Sequence, residues 1–128
     1  MKLEEYFEIT KGIGVLATAD STGNVNAAVY ARPHFMDDDE IAFIMTDRLT
    51  HENLQSNSKA VYLFKESGDA YKGKRLYCSK VREEKDSDLI DKLRKRKHSF
   101  PTSGDEGATR YLVYFRIDRV LPLIGDGD

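Results

Sequence analysis

The residues best equipped for chemistry stand together in one run, Phe43-Ile44-Met45-Thr46-Asp47-Arg48-Leu49-Thr50-His51-Glu52-Asn53-Leu54. Its first part is apolar and suits a buried strand ending at Thr46. A polar turn follows, and then a helix begins. The first backbone N–H groups of a helix have no intrahelical partners and attract an anion. Arg48 and His51 add positive charge at that point, and Thr46 and Thr50 add hydroxyl donors. Several donors beside a cation suit a terminal phosphate monoester. On spacing alone a plainer reading ranks ahead: Thr50 caps the helix and Arg48 is solvated, an arrangement found in many proteins.

The elements that must position this run are legible from periodicity. Leu3, Tyr6 and Phe7 share one face of a helix over Lys2 to Lys11, ended by Gly12. Ile13, Val15, Ala17 and Ala19 alternate, Ser21 to Asn24 form a turn, and Val25, Ala27, Val29 and Ala31 alternate again. That is a β-hairpin. Pro33 marks the end of regular pairing, and Asp37 to Glu40 a second turn. Strands are predicted at Ile41 to Thr46, Ala60 to Lys65, Arg75 to Val81 (extending towards Glu84) and Tyr111 to Val120. Helices are predicted over Thr50 to Ser56, with Leu54 as inward anchor, and over Ser87 to Lys97, with Leu89, Ile90 and Leu93 as a narrow apolar stripe. About six strands and three short helices, with few long helices between strands, indicate a mainly β fold, an antiparallel barrel rather than a doubly wound sheet.

The 128 residues fit one domain, 1–128, and 40% hydrophobic with 33% charged residues suits a globular core. A net charge of -2 lacks the basic excess of a nucleic-acid binder. No stretch is apolar enough to cross a bilayer, and the opening Met-Lys-Leu-Glu-Glu is acidic where a secretory signal is apolar. The expectation is a cytoplasmic protein without membrane or nucleic-acid partners. Cys78, the single cysteine, excludes an internal disulfide and a cysteine-rich zinc site, and no metal is expected.

Cys78 reads as a small packed hydrophobe on a strand. His34, after Pro33, reads as a surface or turn histidine. His98 closes the basic run from Lys92, where a solvated helix end ranks ahead of contact with an acidic partner or phosphate. Asp37 to Glu40 needs no cation if it is a turn. The loop containing Phe100 and Pro101 is equally a plain surface loop or a cover for a bound group, and the closing Gly-Asp-Gly-Asp reads as a frayed tail.

Gly14-Val15-Leu16-Ala17-Thr18-Ala19-Asp20, a turn with Gly23, and Val25-Asn26-Ala27-Ala28-Val29 resemble the opening hairpin of the pyridoxamine-phosphate-oxidase-like FMN-binding split barrels. The Ile41 to Thr46 strand, then Arg48, Thr50, Asn53-Leu54 and Asn57, resembles that family's central block. The resemblance covers Gly12 to Phe64 in motif detail and only the order of elements beyond. It implies a six-stranded antiparallel split barrel with FMN at a homodimer interface. It also implies that the backbone around Ala28, Val29 and Tyr30 runs along the flavin ring. Thr46, Arg48, Leu49, Thr50 and His51 would form the ribityl and phosphate end, with Asn53 bracing the loop. His51 stands where family members often carry Lys or Arg.

The function this implies is an FMN-dependent oxidoreductase or electron-transfer protein, whose redox chemistry the flavin carries. No catalytic acid or base is evident. The alternative is a binding or sensor module holding FMN, a deazaflavin or haem. Oxidation of pyridoxamine phosphate itself ranks lower, because the C-terminal arginine and histidine pattern of those oxidases has no clear match.

Overall fold

The computed structural model describes residues 1–94 and 108–126. In chain order the elements are α1 (Leu3–Ile9), β1 (Gly12–Ala19), β2 (Val25–Tyr30), β3 (His34–Phe35), β4 (Glu40–Thr46), α2 (Leu49–Ser56), β5 (Lys59–Glu66), β6 (Gly73–Lys85), α3 (Asp88–Arg94) and β7 (Arg110–Pro122). Among the described residues the fold is mainly β and antiparallel, with seven strands rather than six. The added strand is β3, whose two residues are too few to show alternation; it pairs His34 with Ala42 and Phe35 with Ile41. Among the described residues no helix is long and apolar enough to cross a membrane. The expectations for 95–97 of the last helix, for His98 and for Phe100 and Pro101 lie outside the described residues. Gly127 and Asp128 also lie outside them, while Arg75 holds the carbonyl of Gly125.

The strands form one sheet in the order β2-β1-β5-β6-β7-β4-β3. β4 explains its own composition. Ile41, Phe43 and Met45 face the main core, whereas Ala42 and Ile44 meet Ile90 and Leu93 of α3, so the run is apolar on both faces. Ser87 caps α3 through the N–H of Leu89 at 3.2 Å. Phe7 of α1 plugs the main core, 5.0 Å from the ring of Phe64 and 6.2 Å from that of Tyr62. Cys78 is buried in the same core, and burial, with Asp118 as a lesser cause, pushes its thiol up to about 12.

β1 turns its less apolar side inward. Gly14, Leu16 and Thr18 are buried, whereas Ile13, Val15, Ala17 and Ala19 lie on the outer face. The inner side is filled by Tyr62, which is fully buried. Its hydroxyl donates to the carbonyls of Tyr30 and Ala31 at 3.2 and 3.1 Å, fixing the point where β2 leaves the sheet. Gly14 makes room for that ring: a Cβ there would stand 1.9 Å from the Tyr62 hydroxyl. Gly14→Ala is therefore expected to cost about 1–3 kcal/mol, the scale of core overpacking, in urea unfolding. The same change in a Tyr62→Leu background is expected to cost less, because the two sites couple. Equal costs in both backgrounds would show that the crowding lies elsewhere.

Candidate functional site

The turn after β4 is carried by α2, and two polar latches hold that helix to the sheet. The Asn53 amide donates to Thr18 Oγ1 on β1 at 3.1 Å, and the Asn26 amide of β2 donates to Thr50 Oγ1 at 3.1 Å. Thr18, Thr50 and Asn53 are all buried, and Leu54 anchors the helix in the core. Thr50 therefore does not cap α2, contrary to the sequence reading. Arg48 occupies the N-cap in extended conformation (φ -126°, ψ -170°), and no side chain among the described residues caps it.

A cavity of about 410 Å³ opens beside that start. One wall is β2 and the chain beyond it, from Asn26 through Ala28, Val29, Tyr30 and Ala31 to Arg32. The other is β4 from Phe43 to Thr46, with His34 of β3. These walls come from opposite ends of the sheet order, so the sheet rolls until its edges face one another and leaves a seam. Arg48, Leu49 and Thr50 close one end, together with Arg94 of α3 and Arg110 of β7. Arg110 pairs with Thr46 across β4 and β7, and its guanidinium is 3.1 Å from Asp91. Burial raises the phenol of Tyr30, and the Thr50 hydroxyl and the Arg48 guanidinium oppose that shift.

Of the nine residues expected at the site, seven line this cavity: Ala28, Val29, Tyr30, Thr46, Arg48, Leu49 and Thr50. Asn53 lies behind it, on Thr18. His51 turns to the opposite side of α2, where its ring stacks on Tyr111 with centroids 3.9 Å apart. His34 is buried in the cavity wall and is not the surface or turn histidine expected. Sequence reasoning ranked the basic run that holds Arg94 as a solvated helix end ahead of a phosphate contact, and it missed Arg110. Only the register of β7 against β4 brings Arg110 to Thr46, and no local pattern carries that register.

No protein-family model matches the chain, and no curated protein does. Solved structures do. An FMN-binding protein from Syntrophomonas wolfei superposes with a TM-score of 0.77 at 22% identity, covering 97% of this chain and 85% of that one. An F420 reductase gives 0.70 at 17% identity, covering 91% and 94%. A provisional pyridoxamine 5′-phosphate oxidase from Lactobacillus delbrueckii gives 0.63 at 19%, covering 94% and 93%. The chain has the split-barrel fold of the pyridoxamine-phosphate-oxidase-like proteins. At these identities the likeness is one of fold, and the split barrel places the seam, not the chemistry within it.

The latch between Asn53 and Thr18 sets the angle at which α2 meets the seam. Asn53→Leu leaves the buried Thr18 hydroxyl without its donor, an expected cost of about 1–3 kcal/mol in urea unfolding. Adding Thr18→Val should recover part of it, since removing both partners spares the desolvation penalty. A double variant weaker than the single one would mean that the bond is not what holds the helix.

Proposed function

We propose that this chain is an FMN-binding flavoprotein of the cytoplasm, an oxidoreductase or electron-transfer protein working as a homodimer. The observation that carries the reading is the composition of the seam. Val29, Phe43, Ile44, Met45 and Leu49 offer an apolar wall, and Thr46, Arg48, Thr50, Arg94 and Arg110 gather at one end with the start of α2. Guanidinium groups gathered with hydroxyl donors suit a phosphate monoester, and Arg110 is held there by Asp91. The volume lies within the usual range for small-ligand sites. Thr46, Arg48 and Thr50 would hold the phosphate, Leu49 would flank the ribityl chain, and the main chain of Ala28 to Tyr30 would border the ring. When bound, the flavin supplies hydride or single-electron transfer. The protein's part is to orient it and exclude water on the β4 side.

The outer face of β2, β1 and β5 supports the homodimer. Val25 is 82% exposed and Val29 55%, and Val15, Ala17, Ala27, Val61 and Leu63 share their side of the sheet. A contiguous apolar face of this kind marks an interaction surface. Val29 also lines the cavity, so a second copy seated there would roof the ligand.

Absorbance of the purified protein, with the released cofactor identified by mass, tests the ligand. FMN is expected; a deazaflavin or haem spectrum would replace it. Arg48→Ala is expected to weaken FMN by about 1.5–3 kcal/mol, the scale of a hydrogen bond to a charged group, and riboflavin hardly at all. Equal losses for both ligands in a fluorescence titration would remove Arg48 from the phosphate. For assembly, light scattering should give a dimer for the parent and a monomer for Val29→Glu, which places a charge in the apolar face. A parent that stays monomeric while holding flavin would refute the dimer.

A further inference from the structure

His51 has an arrangement that the flavin reading leaves unused. Its Nδ1 is 3.1 Å from Asp47 Oδ1, and its Nε2 is 3.0 Å from Glu83 Oε2. Asp47 belongs to the turn itself, between Thr46 and Arg48, and is exposed, whereas Glu83 is largely covered on β6. The other groups facing the ring are Gln55 from α2, whose amide lies 3.1 Å from Nε2, Lys80 of β6, which grips Glu83 Oε1 at 2.6 Å, and the stacked Tyr111 of β7. Burial raises the Glu83 carboxyl, but hydrogen bonds from Lys80, Gln55 and His51 outweigh it and hold the group down to about 2. Glu83 is therefore an acceptor at neutral pH.

A neutral imidazole has one N–H and serves one of the two carboxylates; only the imidazolium donates to both. Were the Nε2 proton to leave, a lone pair would face the Glu83 carboxylate. The Gln55 amide gives its two protons to the His51 carbonyl and to Glu83 Oε1, both at 3.0 Å, while Lys80 holds Glu83, so the neutral ring keeps its proton on Glu83 and the exposed Asp47 is released to water. The arrangement thus has two satisfiable states. In one the ring ties the turn to β6 through both nitrogens, and in the other that bridge is broken.

We infer that His51 is the positioning residue of the anion-binding turn: its protonated ring, bridging Asp47 and Glu83, holds Thr46, Arg48 and Thr50 in the geometry that receives a phosphate monoester. The inference rests on the proposed FMN site. Its sign follows directly. Protonation preorganises the turn, preorganisation strengthens binding, and phosphate affinity rises as pH falls through the histidine range.

The test compares FMN dissociation constants at about pH 5.5 and about pH 8, either side of that range. The phosphate of FMN titrates in the same interval, so each ratio is divided by that of His51→Gln, which keeps the phosphate and every titratable group of the cavity, His34 included, and lacks only His51. The parent is expected to gain about fivefold on acidification relative to His51→Gln, a coupling of ordinary size. Glu83→Gln and Asp47→Ala should lose most of the gain, although neither residue lines the cavity. A gain kept in full by both Glu83→Gln and Asp47→Ala would separate the effect from the bridge and overturn the inference, as would a parent with no gain. NMR order parameters of residues 47–50 in the protein without ligand provide a second readout, independent of flavin. They should fall from about pH 5.5 to about pH 8 in the parent and stay constant in His51→Gln. Constant values in the parent refute the clamp even where FMN binds. If the parent binds neither FMN nor inorganic phosphate, the flavin reading fails, and the order parameters alone decide whether the clamp exists.

Discussion

The hydroxyl of Tyr62 is the contact on which the shape of the seam depends. It reaches from the middle of β5 across the interior to the carbonyls of Tyr30 and Ala31, where β2 stops pairing with β1. Carbonyls leaving a sheet edge into a buried space need donors. Here one phenol serves two of them, so the chain departs at a defined place and lines the cavity with Ala31 and Arg32. Arg32 continues the same arrangement on the far side of the bend. Its guanidinium donates to the carbonyls of Phe7 and Thr10, tying the chain after β2 to α1. Burial raises the Tyr62 phenol, with Arg32 opposing, so the hydroxyl remains a donor throughout the physiological range.

The second constraint is the attachment of α2. A helix of eight residues has little stability of its own, and its place comes from packing. Leu54 supplies the apolar anchor, but one anchor leaves the helix able to rotate. Asn53 on Thr18 and Asn26 on Thr50 remove that freedom, because a buried amide facing a hydroxyl is satisfied over a narrow range of angles. The polar residues of this helix are thus the reason that Arg48 and Thr50 meet the seam. Replacing them by apolar residues of similar volume would preserve burial and lose direction.

Parts of this were readable from residues in order, and the unreadable parts share a physical cause. Ile41 to Met45 announced a strand covered on both faces, because such a strand must be continuously apolar. The alternation of β1 and β2 announced a hairpin, but not which side faces inward. Val and Ala alternate on the outer face, while the inner face carries Gly14 because Tyr62 needs the space. The turn of Thr46 to Thr50 was legible because its residues are sequence neighbours. The orientation of His51 was not: Glu83 is 32 positions away and Tyr111 is on the last strand. Arg110 reaches the cavity only through its register with Thr46, and His34 is buried only because a two-residue strand pairs it with Ala42. Local composition reports elements and turns. Contacts made by register appear only once the sheet has closed.

The direction of Asp47 completes the electrostatic account of the turn. Its carboxylate is the negative group closest in sequence to the helix start, flanked by Thr46 and Arg48. Two unit charges 4 Å apart interact by about 4 kcal/mol at an effective dielectric constant near 20, and by roughly half that at 8 Å. A carboxylate pointing into the cavity would therefore cancel much of what Arg48 contributes to holding an anion. It points the other way, to Nδ1 of His51, and Glu83 receives the ring's other nitrogen with Lys80 beside it. The carboxylates of Asp47 and Glu83 are gathered and compensated behind α2, and the guanidinium groups of Arg48, Arg94 and Arg110 line the front, Arg110 in a pair with Asp91. One short helix thus keeps the Asp47 and Glu83 carboxylates apart from the cavity. Its eight residues can do so because consecutive side chains on an α-helix leave about 100° apart, which sends Thr50 to the seam and His51 to the strands behind it.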